Sequence, residues 1–130
     1  MPDTNYDIYM RRILAVDDDK DILEVLQFIL EDSGYEVNTL SDGHYLMATI
    51  NDTHPDLILL DIMLGNNLDG RELCKAVKKQ DSTHNIPVIL ISASHNVSGS
   101  MNQDGAPNDF ISKPFDINIL LSSIEKQLAA

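Results

Sequence analysis

Three uninterrupted apolar runs punctuate the chain: Ile13-Leu14-Ala15-Val16, Leu57-Ile58-Leu59-Leu60 and Val88-Ile89-Leu90-Ile91. Runs this short, with no polar alternation, predict strands covered on both faces of a parallel sheet. Tyr35 to Leu40 is more polar and predicts a strand near an edge, and Phe110-Ile111 marks a brief fifth strand. Helical periodicity fills the gaps. Ile22, Val25, Leu26, Ile29 and Leu30 recur at helical spacing, and Gly34 fits the position just past a helix end. Leu46, Met47 and Ile50 mark a second helix, Leu73, Ala76 and Val77 a third, and Ile117, Leu120, Leu121, Ile124 and Leu128 a last one. His95 to Asn108 breaks the pattern. A helix is due there, but the segment holds Gly99, Gly105, Pro107, three asparagines and two serines. The fourth helix is therefore expected to be short and weakly held.

Strand and helix alternate, which predicts an α/β fold with a parallel sheet covered by helices on both faces. The 130 residues suit one domain, with residues 1–10 read as a flexible tail and 11–130 as the folded unit. Charge narrows the partners. Nine Lys and Arg against 21 Asp and Glu give a net charge of −12. Such a surface repels phosphate backbones and anionic lipid, so nucleic-acid and membrane binding are disfavoured. A single cysteine, Cys74, excludes an intrachain disulfide and a cysteine-rich zinc site. The polar start, broken by Pro2 and Asp3, does not read as a signal peptide, and no apolar run is long enough for a membrane span. The expected location is the cytoplasm.

In open α/β sheets, ligands bind beyond the carboxyl ends of the strands. The first run ends in Asp17-Asp18-Asp19, the strand at 57–60 in Asp61, the strand at 88–91 in Ser92, and the fifth in Lys113-Pro114. Clustered carboxylates cannot all stay ionised without help, and a hard divalent cation such as Mg²⁺ supplies it through oxygen ligands. A cation site beside a hydroxyl, a lysine and a carboxylate suits a phosphoryl group, with one carboxylate as nucleophile.

The motifs Ile13 to Asp19, Leu60-Asp61-Ile62-Met63, Ile91-Ser92-Ala93 and Ser112-Lys113-Pro114-Phe115 resemble the receiver domain of two-component response regulators. The likeness runs through residues 11–130, in order. It implies a doubly wound five-stranded sheet in the flavodoxin-like order 2-1-3-4-5, as in the chemotaxis receiver. It also implies roles. Asp61 matches the phosphoacceptor. Asp18 matches the acid that ligates Mg²⁺ directly, Asp17 the one acting through water, and the Met63 backbone carbonyl the third protein ligand. Ser92 matches the hydroxyl that bonds a phosphoryl oxygen, Lys113 the lysine that pairs with the phosphoryl group, Phe110 the aromatic switch and Ala93 the small residue beside the site. The Lys113–Pro114 bond is expected to be cis. The implied function is a phosphorylation-activated switch rather than an enzyme. Its implied partners are a sensor histidine kinase or phosphotransfer protein upstream and a downstream protein target or output domain.

Other readings compete. Asp17 and Asp18 could cap a helix, as Asp19 and Asp21 are expected to do. A Mg²⁺-dependent aspartyl-phosphate phosphatase or phosphotransferase would share the Asp and Lys chemistry, but it usually carries a second acid where Met63 stands. A flavodoxin-like cofactor binder would need a Gly-, Ser- and Thr-rich loop where Asp17-Asp18-Asp19-Lys20 stands. His44, His54, His84 and His95 lack ligand spacing and are read as surface residues, and Cys74 as packing. Arg71, Lys75, Lys78 and Lys79 are read as a solvated helix face. Two features depart from the family: the weak fourth helix, and a stretch from Met63 to Gly70 that has no proline near Gly65 and is one residue longer than usual.

Overall fold

The computed structural model describes residues 10–93 and 105–129. Five parallel strands form one sheet in the order β2-β1-β3-β4-β5: β1 (Arg12–Val16), β2 (Glu36–Leu40), β3 (Leu57–Asp61), β4 (Val88–Ser92) and β5 (Asp109–Ser112). The more polar Tyr35–Leu40 stretch is an edge strand, as its pattern predicts, and β5 is the other edge. Four α-helices lie among the described residues: α1 (Lys20–Asp32), α2 (Leu46–Thr53), α3 (Gly70–Lys79) and α4 (Ile117–Ala129). A 3₁₀ turn, Gly43–Tyr45, leads into α2 and has no counterpart in the apolar pattern. Residues 1–9 of the tail expected at 1–10, and most of the weak segment expected at 95–108, lie outside the described residues, which resume at Gly105.

The three central strands read as continuous apolar runs because each face of the sheet has its own core. Along a strand, successive side chains point to opposite faces. Ile13, Ala15, Leu57, Leu59, Ile89 and Ile91 pack with Leu23, Leu26 and Leu30 of α1 and with Leu120 and Ile124 of α4. Leu14, Val16, Ile58, Leu60, Val88 and Leu90 pack on the other face with Leu46 and Ile50 of α2 and Cys74 and Val77 of α3. Cys74 is thus a packing residue, and burial pushes its thiol up to about 11.

Helix starts are set by short acids. Asp19 caps α1, its carboxylate accepting from the Asp21 and Ile22 amides. Asp69 caps α3 by accepting from the Arg71 amide at 2.8 Å, and the Arg71 guanidinium returns to grip the same carboxylate at 2.7–3.2 Å. The guanidinium and the capping amide hold Asp69 below the usual carboxylate range. Since its folded pKa is depressed, Asp69 stabilises the fold above its unfolded pKa and loses that contribution as pH falls through the folded value. Asp69→Ala is expected to lower stability by about 1–2 kcal/mol near neutral pH, as for other caps. Asp69→Asn should lose less, because it keeps the cap and drops only the ion pair. Urea denaturation of the two variants checks the order, and a larger loss for Asn than for Ala would contradict it.

Candidate functional site

The site collects at the carboxyl edge of the sheet because three strands bring polar residues there in one phase. Ala15 faces Leu59 and Val16 faces Leu60 in the β1–β3 register, so Asp17 leaves β1 beside Asp61 at the end of β3. Both continue the phase of Ile13–Ala15 and Leu57–Leu59, the face packed by α1 and α4. Asp17 is 1% exposed and Asp61 5%. One carboxylate oxygen from each of Asp17, Asp18 and Asp61 can be chosen so that all lie within 4.8 Å of one another. Asp18 is the exposed member of the three. The capping reading fails for Asp17 and Asp18, since the α1 cap is Asp19.

Lys113 reaches in from the sheet edge. Its Nζ donates to Asp17 Oδ2 at 2.8 Å and lies 3.5 Å from Asp61 Oδ2. Burial opposes the charge on this ammonium, but the hydrogen bond to Asp17 and the charges of Asp17 and Asp61 outweigh it, and its pKa lies above the ordinary value. Asp61 moves the opposite way for a carboxylate in an ion pair. Burial first, and the Asp17 charge second, push it up to about 6 despite Lys113. One ammonium does not balance two buried carboxylates and the exposed Asp18 beside them.

Ser92 is buried at the end of β4 and its carbonyl accepts the Lys113 amide at 2.8 Å. By strand alternation it continues the phase of Val88 and Leu90, the opposite face from Asp61. Phe110, which pairs in register with Leu90, is partly buried against that same face. Ala93 follows Ser92 as an exposed residue, and the Lys113–Pro114 bond is cis as expected. The Met63 side chain is 70% exposed.

The loop between β3 and α3 is a small hairpin. Met63 and Asp69 form an antiparallel bridge, and the Leu64 amide donates to Leu68 O at 3.3 Å. Gly65, Asn66 and Asn67 close it with φ values of 73°, 50° and 63°. The turn therefore closes without a proline. The loop presses on the acids, for a Cβ at Gly65 would meet Asp18 Oδ2 at 3.3 Å. A cavity of about 550 Å³ opens beside it, lined in part by Met63, Asn66, Asn67 and Arg71.

Sequence reasoning missed two residues. Gly70 packs so tightly that an added Cβ would stand 2.1 Å from the Asp61 carbonyl oxygen, and its amide donates to Ile62 O at 2.7 Å. Only glycine lets α3 begin directly against the backbone of Asp61. An Asp-Gly pair just before a helical pattern was the available signal. The second is Lys78, read as part of a solvated face. Its Nζ instead folds inward onto Ile86 O at 2.8 Å and Asn108 Oδ1 at 2.7 Å, and burial lowers its pKa. Arg71 and Lys75 stay at the surface, paired with Asp69 and Glu72. His44, His54 and His84 are exposed, and His95 lies outside the described residues.

The family model for the response regulator receiver domain matches residues 13–125. The chain belongs to the response regulator receiver family. Solved structures agree with that assignment. The receiver domain of NtrX from Brucella abortus is 38% identical, with a TM-score of 0.80 over 91% of this chain and 98% of that one. A response regulator of Chloroflexus aurantiacus is 29% identical, with a TM-score of 0.85 over 94% and 100% of the two chains. The chemotaxis response regulator CheY4 of Vibrio cholerae is 27% identical, with a TM-score of 0.82 over 92% and 99%. Receivers are phosphoacceptor signalling domains rather than enzymes, and they bind Mg²⁺ in general. Among the described residues of this receiver, no helix is long and apolar enough to cross a membrane.

The raised pKa of Asp61 has a thermodynamic consequence in the metal-free receiver. A carboxyl whose folded pKa exceeds its unfolded value destabilises the fold progressively as pH rises from about 4 through about 6. Asp61→Asn is therefore expected to be more stable than wild type at pH 7.5 in a chelating buffer, by about 1–2 kcal/mol. The advantage should vanish toward pH 4. Denaturant titration at the two pH values measures it, and an Asn variant less stable than wild type at pH 7.5 would contradict the assignment of strain to Asp61.

Proposed function

We propose that this receiver takes a phosphoryl group from a histidine kinase or phosphotransfer protein onto Asp61 in a Mg²⁺-dependent reaction. The observation that carries the reading is the buried Asp61 carboxylate, flanked by Asp17 and held 3.5 Å from the Lys113 ammonium. The residues present fit the cation. Three convergent carboxylates offer hard oxygen donors, and their charge exceeds what Lys113 neutralises. Asp18 and Asp61, the Met63 carbonyl, and Asp17 through water are the proposed holders. Bound there, Mg²⁺ would offset charge on the transferring phosphoryl oxygens.

The chain's own groups do the rest. An Asp61 oxygen attacks phosphorus as the P–N bond of a phosphohistidine breaks. The imidazole leaves with the bonding pair and takes a proton from solvent. Lys113 is already positioned by Asp17, so its ammonium pairs with a phosphoryl oxygen without a large reorganisation. Ser92 then bonds another phosphoryl oxygen, and Phe110, on the same face of the sheet as Ser92, turns inward. The phosphoryl group thereby biases an equilibrium between inactive and active forms. Output is a contact with a downstream protein or output domain; a chain of net charge −12 is a poor direct ligand for nucleic acid.

Incubation with acetyl phosphate and Mg²⁺, read by intact mass, tests the assignment. Wild type should gain one phosphoryl group; Asp61→Asn should gain none while remaining folded. Asp18→Asn should lose the stabilisation that Mg²⁺ gives the wild-type melt. An Asp61→Asn variant labelled to the wild-type extent, or a wild-type melt indifferent to Mg²⁺, would refute the reading.

The phosphoryl group should persist on the order of hours rather than seconds, because hydrolysis needs a water held in line and activated. In the family, side chains two residues after the phosphoacceptor and two after the hydroxyl residue help to hold that water. Here the first is Met63, an exposed thioether with no strong acceptor, and the second is Ser94, outside the described residues. Decay of the label within about a minute, with no phosphatase added, would contradict this.

A further inference from the structure

We propose that Lys78 is a positioning residue for Lys113, acting by pinning the register of β5. The inference rests on the reading of Lys113 as the partner of a phosphoryl group on Asp61. Lys113 can serve Asp17 and Asp61 only if β5 sits in one register, since a one-residue slip turns every side chain to the other face. Yet β5 has little of its own to fix that register. It is a four-residue edge strand, hydrogen-bonded on one side, and Ile111 is its only fully buried residue.

The register is set by side chains at its entry. The Asn108 amide donates to Val88 O at 2.7 Å, while Asn108 Oδ1 accepts the Val88 amide at 2.9 Å. Asn108 thus brackets the first residue of β4 from both sides. Its Oδ1 is held in turn by Lys78 Nζ at 2.7 Å, and that ammonium is anchored on Ile86 O at 2.8 Å and reaches His84 O at 3.4 Å. Lys78 therefore ties the chain entering β4 to the chain entering β5, from a third element. Slippage one way would put Pro107 where Asn108 stands, and proline has no amide to give Val88 O. Slippage the other way would offer Asp109 to Lys78. Asp109 is instead taken by Ser123 Oγ of α4, a second and independent pin. At the far end of β5 the Lys113 amide meets Ser92 O, so the register chosen at Asn108 is the one that delivers Lys113.

This arrangement predicts a selective defect. The proposed cation-holding acids lie at or just past the ends of β1 and β3, which Lys78 does not touch, whereas Lys113 directly follows β5. Lys78→Met keeps the stem and removes the donors. It is expected to slow labelling by acetyl phosphate at saturating Mg²⁺ roughly three- to tenfold, with Ser123–Asp109 limiting the loss. Mg²⁺ affinity, read by calorimetry, should stay within about twofold of wild type. Asn108→Ala breaks the same clip from the other side and should reproduce the effect, which keeps the test available if Lys78→Met fails to fold. The deciding measurement is a double-mutant cycle. In a Lys113→Met background, Lys78→Met should slow labelling no further. Equal slowing in both backgrounds, a parallel loss of Mg²⁺ affinity, or wild-type rates in both clip variants would overturn the proposal. Failure of wild type to label at all would instead overturn the reading of Asp61, so the two failures are distinguishable.

Discussion

Two carboxylates forced together at a buried sheet edge are the constraint from which the rest of this receiver follows. The β1–β3 register sets Asp17 beside Asp61, and neither can escape to solvent. Like charges at that range, in a site with few water contacts, are strongly unfavourable unless a counter-charge is held among them. The protein supplies one from the opposite edge strand. Burial first, and the Asp17 charge second, still raise the pKa of Asp61 beside that ammonium. A site left in this state gains whenever positive charge is added or negative charge is redistributed, which is the property a cation-dependent phosphoacceptor needs. Instability at the site and function at the site are, on this view, the same feature.

The remainder of the fold makes that local imbalance tolerable. Both faces of the sheet are sealed by separate apolar clusters, so the cost of the acids is confined to the carboxyl edge. The backbone around Asp61 is clamped rather than flexible. Gly70 lets α3 abut the Asp61 carbonyl, and the Gly70 amide ties the helix start to Ile62. Preorganisation of this kind keeps the acid in place against the repulsion of its neighbour.

Much of this was legible in the residue pattern, for a specific reason. A strand covered on both faces needs an unbroken apolar run, so the first polar residue after each run marks where the strand leaves the sheet. That rule located Asp17, Asp61 and Ser92, whereas Lys113 stands one residue further on, past Ser112, and was marked by the Ser112-Lys113-Pro114-Phe115 motif; period-two alternation then sorts them by face. What stayed hidden has reasons as specific. The close approach of Gly70 depends on the helix arriving over β3, which no local pattern encodes. Lys78 looked like its neighbours Lys75 and Lys79 because a helical wheel shows which way a stem points, not where a long flexible stem ends. The hairpin at 63–69 depends on three consecutive left-handed residues, two of them asparagines that tolerate that conformation without demanding it. The segment expected to form a weak fourth helix lies mostly outside the described residues.

The alternation of side chains also divides the proposed labour. Asp17, Asp61 and Lys113 share the face packed by α1 and α4, whereas Ser92 and Phe110 follow the phase of the face packed by α2 and α3. The proposed chemistry and the proposed readout therefore lie on opposite sides of the sheet. The two clusters share no side chains, and the carboxyl edge is where a polar group can link the two sides. Ser92 is the one proposed participant placed to do this. It ends a central strand adjacent to β3, it carries a hydroxyl rather than an apolar group, and its carbonyl already holds the Lys113 amide. Its neighbour in register, Ser112, immediately precedes Lys113. A movement of Ser92 toward a group on Asp61 would thus pull on the backbone that bears Lys113 while vacating space on the face where Phe110 rests. Coupling of this sort needs no long pathway, only a polar strand end shared by two faces.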